Sequence, residues 1–80
     1  MKTKLVGYAY PTSPLADRAG KKHGCYYVVV CDGNIAGNEV CFDGNNEGLK
    51  KSFEYADSLP EAYDRYSLRP DGSTPWLDKV

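Results

Sequence analysis

Eighty residues with a net charge of −1 make one small domain, close to the lower limit of what folds without a disulfide or metal. No apolar run is long enough to span a bilayer, and Lys2 and Lys4 followed by LVGYAY do not make a signal peptide. A cytoplasmic protein is expected, with its three cysteines reduced.

The charge is unevenly spread. Residues 1–22 hold five basic side chains against Asp17, whereas residues 23–49 hold Asp32, Glu39, Asp43 and Glu47 with no Lys or Arg. A segment free of basic residues is a poor phosphate binder, but it complements a basic protein surface.

Residues 3–10, TKLVGYAY, read as a first strand that Pro11 ends. Residues 13–20 fit either an irregular loop or a compact helical turn, with Ser13 as N-cap, Pro14 at the first helical position and Gly20 past the end. The strongest element is Cys25 to Phe42, CYYVVVCDGNIAGNEVCF, which predicts a β-hairpin turning at Asp32-Gly33 in a type I′ turn. A tight turn continued in plain register would aim Glu39 at the core. One extra residue at Gly37-Asn38, a β-bulge, repairs this. Tyr26, Val28, Val30, Ile35, Val40 and Phe42 then share one face, and Cys25, Tyr27, Val29, Cys31, Glu39 and Cys41 the other.

Asn45 or Asn46 caps a helix over about 46–58, in which Leu49, Phe53, Ala56 and Leu59 form an apolar stripe. Pro60 either stops this helix or opens a second short one through Tyr66. Residues 68–80 read as a loosely docked extension of the single domain, with Trp76 and Leu77 as an anchor or part of a mobile tail. The expected fold is α+β: a three-stranded antiparallel sheet, made of hairpin 25–42 and the N-terminal strand, with one main helix on it.

No cofactor, metal or catalytic group is expected. Cys25 and Cys31 lie six residues apart on one strand, roughly 20 Å, too far to share a zinc ion or a disulfide. Cys25 and Cys41 become cross-strand neighbours in the bulged register, where they read as small apolar side chains. His23 is the only histidine, and nothing beside it supplies a nucleophile and an orienting group together. Strand, strand and helix with GKKHG ahead and GLKK at the helix start resemble in part a double-stranded-RNA-binding domain. Phe53 and Glu54 stand where that family has small and basic residues, so the chain is not assigned to it.

By elimination, the expected function is protein binding, as a small inhibitor or adaptor. Phage-encoded proteins that block host defence, anti-CRISPR proteins included, are often motif-free domains of this size. The expected contacts are Tyr27, Asp32, Glu39 and Asp43 on the hairpin, then Glu54 and Asp57 on the helix, facing a partner with a basic surface. The alternative is a nucleic-acid-binding domain that uses Lys21, Lys22, Lys50 and Lys51. Self-association through an uncovered edge at 3–10 or 34–42 is a third expectation.

Overall fold

The computed structural model describes residues 1–75. The elements are β1 (Lys2–Ala9), α1 (Pro14–Arg18), β2 (Cys25–Asp32), β3 (Ile35–Ala36), β4 (Val40–Asp43), α2 (Asn46–Asp57) and β5 (Ala62–Tyr63). They form one mixed sheet in the order β3-β2-β1-β5, with β4 also beside β2, and α2 covers one face. The α+β class and the antiparallel unit of β1 and the hairpin stand as read from sequence. The expectations for Trp76 and Leu77 lie outside the described residues.

The helix face of the sheet carries the even-numbered residues of β1 and β2. Val6 and Val28 pair across the two strands and bury against Phe53, Ala56 and Leu68, with Tyr26, Phe42 and Leu49 packed around them. α2 starts where the sequence places it: the Asn45 side chain accepts from the Gly48 N–H at 2.8 Å. The five residues of α1 pack on the opposite face, with Ala16 buried against Ala9 and Cys25. Ser13 is its N-cap, and Gly20, with φ +70°, follows its C-cap Ala19.

The hairpin departs from expectation at its turn. Asp32 pairs with Ile35, so Gly33 and Asn34 form the two-residue loop in place of Asp32-Gly33. Only Gly33 has positive φ, +61°. That is the pattern of a type II′ turn, because type I′ needs both central residues left-handed. Cys31 pairs with Ala36 and Val28 with Val40, so two residues of β2 oppose three of the return strand. The expected bulge is there, and the six residues assigned to the helix side do share that face. The individual pairs are shifted: Cys25 faces Asp43, and Cys41 faces Tyr27.

The chain after α2 also differs from the sequence reading. The helix stops at Asp57, short of Pro60, and no second helix follows, but the chain beyond it returns to the sheet. Ala62 and Tyr63 pair with Thr3 and Lys4 as a parallel strand. Beyond them the Asp64 N–H donates to Lys4 O at 2.7 Å and the Leu68 N–H to Val6 O at 2.7 Å. Between these bonds the fully buried Val6 N–H donates to Ser67 Oγ at 3.0 Å. The outer edge of β1 is thus covered by residues 62–68 from Thr3 to Val6, with a side-chain hydroxyl standing in for one ladder acceptor. The half of the 3–10 edge that holds Thr3 to Val6 is therefore occupied within the chain, and Leu68 is a core residue. Ser67→Ala leaves a buried amide without its acceptor, at a cost of about 1–3 kcal/mol. We expect thermal unfolding to show it as a fall of about 4–8 °C per kcal/mol.

Candidate functional site

The six residues expected to contact a protein partner do not lie on one surface. Tyr27 points to the face opposite α2, half-buried, with its ring lying across Gly7, its partner on β1. Burial first, then Cys25 and Glu39, push its hydroxyl pKa up. Asp32 lies at the hairpin tip, exposed, 3.7 Å from the N-terminal amine. Asp43 lies at the other end, opposite Cys25, roughly 23 Å away at the usual strand rise. Lys21 Nζ contacts the Asp43 carboxylate at 2.8 Å and holds it below the usual carboxylate range. Glu39 is exposed in the bulge. Glu54 and Asp57 are exposed on α2, and Asp57 accepts from the Tyr63 hydroxyl. A continuous acidic face is therefore not formed.

The four lysines of the nucleic-acid reading are divided too. Lys21, Lys22 and His23 line a groove that also contains Asp43, so one of its cations is neutralised. Lys51 lies near enough for Asp43 to feel its charge. Lys50 lines a different groove, beside Glu54 and Asp57.

The thiols do not make a reactive centre. All three are free, and Cys25 is fully buried. Burial first and the neighbouring Cys41 next push the Cys25 thiol up to about 11, so it stays protonated at neutral pH. Among the described residues no group of three or more His, Cys, Asp or Glu side chains is placed to hold a metal ion, and no helix is long and apolar enough to cross a membrane.

The structure instead exposes residues that the sequence reading placed in the core. α2 begins beside Asp43 and ends over Lys4, crossing the sheet diagonally. Its 12 residues span about 18 Å, whereas the eight of β2 span about 26 Å. The corner at the hairpin tip and return strand is left bare. Ile35 is 75% exposed, Val40 38% and Tyr55 38%, and Phe42 packs its ring on Tyr55. Every residue from Asp32 to Val40 is exposed, with Asp32 and Glu39 beside the apolar side chains and no basic residue among them. Parity assigns Ile35 and Val40 to the helix side correctly. Only the mismatch between a short helix and a longer hairpin signals that nothing covers them.

No family model, curated protein or solved structure matches this chain.

Proposed function

We propose that this protein is a small protein-binding module that acts in the cytoplasm as an inhibitor or adaptor, with the bare hairpin corner as its contact surface. We assign it no catalytic role. One observation carries the reading: three large apolar side chains are exposed in a row along the helix side of the return strand, Ile35 opposite Asp32, Val40 opposite Val28 roughly 13 Å further on, and Tyr55 against Phe42, with acids beside them. A row of exposed apolar side chains along one open strand, flanked by acids, fits a contact that follows the strand. Asp32 and Glu39 favour a partner of positive potential. A domain that occupies a partner by surface alone suits a stoichiometric blocker, and the phage-encoded anti-defence class, anti-CRISPR proteins included, is where we would place it.

The test is a pull-down from native host lysate with wild type and with the double variant Ile35→Lys, Val40→Lys, each in nuclease-treated and untreated halves. Both positions are exposed, so unfolding should change by no more than about 0.5 kcal/mol. We expect a stoichiometric protein in both wild-type halves that the variant does not retain. Capture that vanishes with nuclease, and on Lys21→Ala and Lys22→Ala, would replace this reading with the nucleic-acid one.

A further inference from the structure

The two edges of the sheet are not equivalent. The β1 edge is covered from Thr3 to Val6 by residues 62–68 through backbone bonds and Ser67. On the other side, among the described residues, no strand lies outside β3 and β4. Among the described residues no backbone bond joins the outward side of Val40–Asp43 to another strand, which makes it a template for a further strand. The bulge limits regular pairing to Val40–Asp43.

The side chains along this edge alternate in character. Val40 and Phe42 lie on the helix side with Tyr55, and Ile35 shares their face. Glu39 lies in the bulge, close enough to Tyr27 for its charge to be felt there. A strand added here meets an apolar row on one face and a carboxylate on the other. We infer that β4 takes up, by strand addition, an extended segment of a partner protein in which apolar and basic residues alternate. This rests on the protein-binding reading above and adds the docking mode and the chemistry of the partner.

A second copy of this chain fits the edge worse. Two hairpins paired edge to edge bring Glu39 of each copy to the shared edge with no Lys or Arg of residues 23–49 to compensate, whereas Asp43 is already paired with Lys21. Like charges across paired strands are unfavourable, and a basic segment turns the same contact favourable.

The probe is an acetylated, amidated octapeptide of alternating valine and lysine, titrated into the isotope-labelled full chain. We expect amide shifts confined to residues 35–43 and Tyr55, and amide exchange within Val40–Asp43 slowed about tenfold or more at saturation. The same peptide with N-methylated backbone amides on its pairing edge should give no such protection, and a valine-glutamate peptide should not bind.

Shifts at the Leu5 and Val29 face, an undiminished response to the N-methylated peptide, or no response would overturn the inference. So would a concentration-dependent dimer in sedimentation that Val40→Lys abolishes, because the occupant would then be a second copy. If the octapeptide fails while wild type still captures a lysate protein that the Ile35→Lys, Val40→Lys variant loses, strand addition falls and the protein-binding reading stands. If neither binds, both fall.

Discussion

Gly48→Ala should lower the unfolding free energy by about 3 kcal/mol, seen as a lower urea midpoint at unchanged slope. Only two residues separate the end of β4 from the start of α2, so the first helical turn folds back onto the strand it has just left. A Cβ at Gly48 would lie 1.6 Å from Asp43 O and 2.5 Å from its carbonyl carbon. Both are backbone atoms, so no side chain can swing aside. The helix start must move, and with it the Asn45 cap on the Gly48 N–H. For a domain of this size the loss is a large fraction of a total of about 4–12 kcal/mol. Gly20 is the control. A Cβ there meets nothing, and only its φ of +70° opposes a side chain. Gly20→Ala should therefore cost about 1–2 kcal/mol.

Lys4→Met should cost about 2–3 kcal/mol. Lys4 lies on the helix face of β1 and is only 6% exposed. Its ammonium donates to Ala56 O at 2.8 Å and Leu59 O at 3.0 Å, and sits 4.3 Å from the centre of the Tyr63 ring. These are carbonyls of the last turn of α2 and just beyond it, where free acceptors and the negative end of the helix dipole favour a cation. The ring face adds further attraction. Methionine keeps much of the buried stem and removes the charged head, so the loss isolates the cap. Urea unfolding measures it, and faster amide exchange in the last turn of α2 would locate it. Lys2→Met, on the same strand and exposed, should stay within about 0.5 kcal/mol.

These residues show where sequence reasoning reaches and where it stops. The hairpin, the bulge and the helix start were legible because each has a local cause: alternating side chains, a buried acid to be avoided, an Asn with a helical stripe after it. The short parallel strand at Ala62–Tyr63 was not. Two residues carry no periodicity, and what holds 62–68 in place is pairing with β1, more than fifty residues away in the chain. Lys4 read as one of a basic N-terminal group, and nothing local revealed that α2 would end above it. The acids of the hairpin were identified correctly as a set without basic residues. Their separation to opposite ends, and the pairing of Asp43 with Lys21, are facts of register and of loop 20–24. Ile35 and Val40 were legible as helix-side residues but not as exposed ones, and Tyr55 was not singled out, because exposure depends on the path of the helix.

The inequality of the two edges also governs how this chain behaves at high concentration. Growth of a cross-β polymer requires each added molecule to present a fresh edge to the next. Here the side of β1 is already occupied by the chain itself. A molecule that joins a sheet through β4 therefore offers the next one only the end of β1 beyond Val6. Growth through the native fold is thereby confined to one short end of a single strand.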